Sequence, residues 1–141
     1  MKDDSTAARP AGPSAYQGPG QAARARAEVR ALLAAATPPP SERTAADALL
    51  VTSELVANAL RHGGGLTGFD TALAGDRLVL VVADRSTRPP VPTHPLAPAP
   101  GTGGAFPIGG YGWPLVLRLS HRVDVDIRED GKTIRVEFKL R

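Results

Sequence analysis

The feature that most constrains this chain is a pair of β-hairpins separated by a long segment rich in proline and glycine. The first hairpin is predicted over residues 67–84, where two apolar runs flank the two-residue turn Gly75-Asp76. The second is predicted over residues 122–140, around the turn Glu129-Asp130-Gly131. Because a tight turn joins antiparallel strands, the hairpins predict a sheet that is antiparallel or mixed.

Three helices are predicted beside the hairpins, over residues 21–36, from 41–44 to 62, and over 113–120. Val29, Leu32 and Leu33 give the first helix an apolar stripe, and prolines 38–40 end it. The second helix has a wider apolar stripe and ends at Gly63-Gly64-Gly65. The order helix, helix, hairpin, loop, helix, hairpin predicts an α+β two-layer sandwich with the helices on one face of the sheet.

Composition divides the chain into a tail and one domain. Residues 1–20 are rich in proline, glycine, alanine and small polar residues, and we expect a disordered tail because they cannot bury enough apolar surface. Residues 21–141 have the size of a single domain. Within it, residues 86–112 form a loop long enough to be a functional lid, and we expect 92–109 to be mobile in the unliganded protein.

The sequence also argues against several kinds of site and partner. It contains no cysteine, which excludes disulfides and thiolate metal sites. No apolar run approaches the ~20 residues that span a bilayer, and residues 1–20 lack the apolar core of a signal peptide, so we expect a cytoplasmic protein without a membrane partner. The net charge of +3 comes from scattered arginines with few aromatic residues, which does not favour a nucleic-acid partner.

Two polar residues of the second predicted helix lie one turn apart. Glu54 and Asn58 have i, i+4 spacing, which places a carboxylate and an amide on one helix face. The amide oxygen can ligate Mg²⁺, and the carboxylate can act as a base toward a hydroxyl. Spacing alone favours a solvated polar face, because charged helix faces usually contact only water.

Two further positions have both a functional and an ordinary structural interpretation. Asp84 ends an apolar strand, where its carboxylate could accept a hydrogen bond from an exocyclic amine or simply form an Asx turn. Gly109-Gly110-Tyr111-Gly112 precedes the third predicted helix, and glycines at a helix N-terminus allow backbone N–H groups to approach a phosphate. The neighbouring glycines make low complexity the alternative explanation there.

These segments occur in an order that resembles a known family. They are similar to the motifs of GHKL ATPases and, more narrowly, to those of bacterial anti-sigma-factor serine/threonine kinases and their actinobacterial relatives. The resemblance extends over residues 21–140 and implies the Bergerat-type ATP-binding fold. The segments that carry it are 53–63, Asp84-Arg85-Ser86 with Pro89-Pro90, 109–116, and Gly131-Lys132-Thr133.

The resemblance implies a role for seven residues in binding ATP with Mg²⁺ and transferring its γ-phosphate. Ser86 stands where the wider superfamily has glycine, and Trp113-Pro114 follows the last glycine of the third motif, where smaller or aliphatic residues are usual. The implied roles are base for Glu54, Mg²⁺ ligand for Asn58, adenine binding for Asp84, nucleotide binding for Ser86, phosphate binding for Gly110 and Gly112, and a position near adenine for Thr133.

Two functions remain open on these residues. The first is a kinase that phosphorylates a STAS-type anti-anti-sigma protein and binds that protein, a sigma factor, or both. The second is a nucleotide-regulated interaction module with negligible kinase activity, which the unusual Trp113-Pro114 favours. Retention of both Glu54 and Asn58 favours the kinase. The resemblance further implies a homodimer.

Overall fold

The computed structural model describes residues 20–90 and 112–141. The predicted helices and strands are confirmed to within about one residue at each end. The expected disorder of residues 1–19 and mobility of residues 92–109 lie outside the described residues. The elements are α1 Gln21–Ala35, α2 Glu42–His62, β1 Leu66–Ala74, β2 Arg77–Asp84, α3 Gly112–Leu119, β3 Arg122–Arg128 and β4 Gly131–Lys139.

The four strands form one antiparallel sheet in the order β1-β2-β4-β3. The two hairpins lie side by side because β2 pairs with β4, although they are separated in the chain by α3 and the segment before it. In that register Leu78 lies opposite Phe138, and Asp84 lies opposite Lys132. The predicted α+β class is therefore confirmed, with antiparallel pairing throughout the described sheet.

All three helices lie on one side of the molecule, with α1 and α3 both packed against α2. Helix α2 packs on β2 and α1 packs on β1. Burial alternates along β2 and β4, as the period of two in a strand requires. Burying one of these aliphatic side chains stabilises the fold by about 1.5–3 kcal/mol. The fully buried side chains include Val29, Val51, Leu55, Val56, Phe69, Leu78, Leu80 and Val136.

Local chemistry defines both ends of α2. Ser41 caps its N-terminus, because the Ser41 hydroxyl accepts a hydrogen bond from the backbone N–H of Thr44 at 3.1 Å. At the other end, the N–H groups of Gly63 and Gly65 both donate to the carbonyl of Ala59. Gly64 and Gly65 have φ of 72° and 117°, which favours glycine and turns the chain into β1.

Strand β3 is an edge strand whose outward face is charged. Within the strand, Arg122 Nε donates to Asp124 at 2.9 Å, and Arg128 Nε donates to Asp126 at 2.8 Å. The hydrogen bond with its aspartate partner raises the pKa of each guanidinium above its ordinary value. These pairs are exposed, so each contributes little to stability.

Among the described helices, none is long and apolar enough to span a bilayer.

Candidate functional site

A cavity of about 360 Å³ lies between the C-terminal half of α2 and the adjacent ends of β2 and β4. Leu55, Ala59 and Ile134 supply apolar surface inside it. This combination of apolar surface with a few polar groups is usual for a small-molecule site, and the volume lies within the usual range. Its polar lining includes Asn58, Arg61, Asp84, Ser86, Arg88 and Lys132.

Asp84 is a buried acid at the end of β2, and both of its carboxylate oxygens accept hydrogen bonds. Oδ1 accepts from the backbone N–H of Ser86 at 2.8 Å, which is the geometry of an Asx turn. Oδ2 accepts from Lys132 Nζ at 2.7 Å. The two interpretations of Asp84 are therefore compatible, because the turn forms and the carboxylate still lines the cavity.

Two glycines allow the chain to close tightly around Asp84. A Cβ at Gly63 would lie 2.5 Å from the carboxylate carbon of Asp84, and a Cβ at Gly131 would overlap its backbone oxygen. Gly131 also has φ of 153°, which side chains rarely adopt. The backbone N–H of Arg85 donates to the carbonyl of Gly63 at 2.8 Å, which joins the end of β2 to the end of α2. These contacts hold Asp84 beside α2.

Glu54 and Asn58 lie on α2 but meet different surroundings. Asn58 is half-buried and lines the cavity. Glu54 lies at the contact with α3, where a Cβ at Gly112 would overlap its Oε1. Among the described residues, Glu54 Oε1 is buried without a hydrogen-bond partner and does not belong to the cavity lining. Buried carboxylate oxygens usually accept a hydrogen bond, so this oxygen retains capacity for a further partner.

The structure brings Asn58, Asp84 and Ser86 together and leaves Thr133 apart from them. Thr133 pairs with Ala83, on the face of β4 opposite to Ile134, and does not line the cavity. Gly110 lies outside the described residues. Gly112 begins α3 and contacts Glu54.

Lys132 is a cavity residue that the sequence reasoning missed. Its side chain is only 7% exposed and lies on the same face of β4 as Ile134. The alternation along β4 was the available signal, because it places Lys132 with the apolar residues and Thr133 with the polar ones. Lysine is seldom buried unless it is paired, and its partner Asp84 is distant in the sequence.

The charge of the cavity favours an anion. In the part of the chain that the structure describes, Arg61, Arg88 and Lys132 line the cavity against one acid, Asp84. A cleft lined mainly by one sign of charge concentrates ligands of the opposite sign. No group of three or more histidine and acidic residues that could hold a metal occurs within 20–90 and 112–141.

Comparison with known proteins gives one family and a distant structural likeness. Residues 17–138 match the profile of the family described as "Histidine kinase-like ATPase domain". No curated protein matches the chain.

Among solved structures, the blue-light activated histidine kinase EL346 of Erythrobacter litoralis is 18% identical, with a TM-score of 0.45 over 70% of this chain and 31% of its own. The histidine kinase domain of that protein is 19% identical, with a TM-score of 0.44 over 69% of this chain and 45% of its own. The chain thus spans less than half the length of either structure.

Proposed function

The chain belongs to the family of histidine kinase-like ATPase domains, and on this premise we propose that it binds ATP with Mg²⁺ in the cavity beside α2. The observation that carries the proposal is the convergence of Asn58 and Asp84 on that cavity from a helix and a strand end. The sequence alone predicts a ligand-binding role for both residues. Convergence of such groups on one pocket is what a binding site requires.

The cavity chemistry fits each part of the nucleotide. The apolar surface of Leu55, Ala59 and Ile134 suits a purine ring, and the carboxylate of Asp84 can accept a hydrogen bond from its exocyclic amine. The cationic side chains of the lining attract the phosphates.

The residues present also fit Mg²⁺. This ion usually binds through one or two protein oxygens, with phosphate oxygens and water completing its shell. Asn58 supplies an uncharged oxygen of the required kind at the cavity wall. When bound, Mg²⁺ neutralises charge on the phosphates.

We extend the proposal to a serine/threonine kinase of the anti-sigma-factor type, with a STAS-type antagonist as substrate. The hydroxyl oxygen of the antagonist attacks the γ-phosphorus, the bond to the β–γ bridging oxygen breaks, and ADP leaves. Glu54 accepts the hydroxyl proton. This role of Glu54 is supported by its buried Oε1 atom. That oxygen accepts no hydrogen bond from the described residues and so retains capacity for the proton. A sigma factor and a second copy of the chain remain part of this proposal as binding partners.

One observation favours the alternative, a nucleotide-regulated interaction module without significant kinase activity. Glu54 lies under Gly112 and is not part of the described cavity lining, so its carboxylate is covered on the side of α3. A general base that stays covered cannot reach the hydroxyl of a partner protein. ATP binding is common to both functions.

Two measurements test these functions in turn. Calorimetric titration with ATP, with and without Mg²⁺, tests binding, and absence of heat at millimolar nucleotide would reject both functions. Transfer of label from γ-labelled ATP to purified STAS-type proteins tests the kinase. If the protein binds ATP and a STAS partner but transfers no label, its function is that of the interaction module.

A further inference from the structure

Asp84 and Lys132 form a buried ion pair inside the cavity. They are directly opposite each other on β2 and β4, and the Nζ–Oδ2 distance is 2.7 Å. Their side chains are 5% and 7% exposed, yet both line the cavity. The carboxylate and the ammonium are therefore desolvated, and they lie side by side in the part of the cavity that we propose binds the nucleotide base.

Each partner retains hydrogen-bonding capacity after the pair has formed. A carboxylate has about four acceptor positions, and the pair with Lys132 and the turn with Ser86 use two of those on Asp84. An ammonium has three N–H donors, and among the described residues Lys132 Nζ has one recorded acceptor, Asp84. The pair can thus present an acceptor and a donor to the same ligand.

Both purines display an acceptor beside a donor. Adenine has the acceptor N7 next to the amine at C6, and guanine has the acceptor O6 next to N1–H. A carboxylate alone would accept from the adenine amine but would repel the guanine O6. An ammonium beside that carboxylate donates to N7 of adenine, or to O6 of guanine when the base is shifted by one position along its edge.

We propose that the cavity binds GTP as well as ATP, and that Lys132 is the residue that admits guanine. The proposal rests on the proposed nucleotide site and adds its base specificity. The competing explanation is that Lys132 only compensates the buried charge of Asp84. Compensation alone requires no contact with the base, so the two explanations predict different responses to changes in the base.

The first test uses the unaltered protein with Mg²⁺ and a series of purine nucleoside triphosphates in calorimetry. GTP should bind within about tenfold of ATP, and inosine triphosphate should resemble GTP because it keeps O6 and N1–H. The 6-thioguanine analogue keeps N1–H but replaces O6 with sulfur, a weaker acceptor, so it should bind at least about threefold more weakly than GTP because its hydrogen bond from the ammonium is weakened. GTP binding more than about a hundredfold weaker than ATP would overturn the proposal.

The second test changes the lysine. Lys132→Met keeps the length of the side chain and removes the donors, which costs both nucleotides a hydrogen bond but also leaves guanine O6 facing the Asp84 carboxylate. Affinity for GTP should therefore fall at least about tenfold more than affinity for ATP. Lys132→Arg keeps a cationic donor and should restore part of the GTP affinity. Lys139→Met is the matched control, because Lys139 is exposed at the far end of the same strand.

The outcomes separate this inference from the proposed function. An unchanged GTP-to-ATP ratio in Lys132→Met overturns the role of the lysine while ATP binding stands. Failure of the unaltered protein to bind either nucleotide overturns the proposed function and this inference with it. Should Lys132→Met not fold, the 6-thioguanine result on the unaltered protein decides, because that comparison changes only the acceptor that faces Lys132 and needs no variant.

Discussion

A carboxylate oxygen of Glu54 lies against Gly112 so closely that a Cβ at position 112 would overlap it. The contact joins the middle of α2 to the first residue of α3. It also means that the proposed base and the start of α3 cannot move independently. Substitutions at either residue should therefore affect the other.

Gly112→Ala should destabilise the fold and displace the carboxylate of Glu54. Overpacking typically costs about 1–3 kcal/mol. In a Glu54→Ala background the contacts with the carboxylate disappear and only the Cβ of residue 54 remains close, at 3.3 Å. The same change should therefore cost less there, with a coupling energy of about 0.5–3 kcal/mol. Denaturant unfolding of the two single variants and the double variant measures this. Additive effects would show that the contact is not energetically important.

Glu54 and Asn58 should separate catalysis from binding. Asn58→Ala should weaken Mg²⁺-dependent ATP binding and abolish phosphoryl transfer together, because it removes the proposed metal ligand. Glu54→Ala should leave ATP affinity largely unchanged and reduce transfer to a STAS-type partner by about 10²–10⁴, the usual effect of losing a positioned base. Glu42→Ala, an exposed acid of the same helix, is the control. Wild-type transfer by Glu54→Ala would exclude Glu54 as the base.

Asp84→Asn should weaken ATP binding and also lower stability. From the sequence alone we expect only the first effect. The structure adds the second, because Asn cannot form the ion pair with buried Lys132. Weakening a buried hydrogen bond to a charged group costs roughly 1–3 kcal/mol. Thermal unfolding without nucleotide and calorimetry with ATP measure the two effects separately. Normal ATP affinity in Asp84→Asn would show that the Asp84 carboxylate does not bind the nucleotide base.

Gly63→Ala should disturb Asp84 from the side of α2. The new methyl carbon would lie 2.5 Å from the Asp84 carboxylate, so either the carboxylate or the end of α2 must shift. We expect a loss of about 1–3 kcal/mol in unfolding free energy and weaker nucleotide binding. Gly68→Ala is the matched control, because its Cβ would be 3.7 Å from Ala83, an ordinary contact. Equal effects of both substitutions would contradict the proposed packing.

Stability toward acid should depend in part on Glu137. The carboxylate accepts hydrogen bonds from Arg135 at 2.6 Å and from Arg77 at 3.0 Å. The Arg135 hydrogen bond, with that of Arg77, lowers the pKa of Glu137 below its ordinary value of 4.5. A carboxyl with a lowered folded pKa stabilises the fold above its unfolded pKa, and this contribution disappears as pH falls through the folded pKa.

The corresponding experiment compares pH profiles of unfolding. Glu137→Gln should be less stable than the unaltered protein at neutral pH, and the difference should shrink as pH falls below about 4.5. Glu42→Gln is the control for a general effect of removing one acid. A stability difference that stays constant down to acid pH would show that the ionised form of Glu137 is not what stabilises the fold.

The elements were predictable because each has a local signal. Period-two alternation identifies β4, the Gly75-Asp76 turn identifies the first hairpin, and the apolar stripe identifies α2. The pocket was predictable in part, since the chemistry of Asn58 and Asp84 indicates ligand binding and both residues line one cavity.

The ion pair between Asp84 and Lys132 was not predictable in the same way. It joins residues 48 positions apart through the register of β2 with β4, and no local pattern specifies that register. The same register determines that Lys132, rather than Thr133, faces the cavity. A strand reverses the facing of its side chains with every residue, so the register decides which of two neighbouring residues lines the cavity.

The charged face of β3 has a consequence for how copies of this protein can meet. An edge strand leaves backbone groups unpaired, and another strand can add to it and extend the sheet. On β3, four charged side chains would lose water on such an approach: Arg122, Asp124, Asp126 and Arg128. That dehydration cost disfavours the addition of a second copy's strand at this edge.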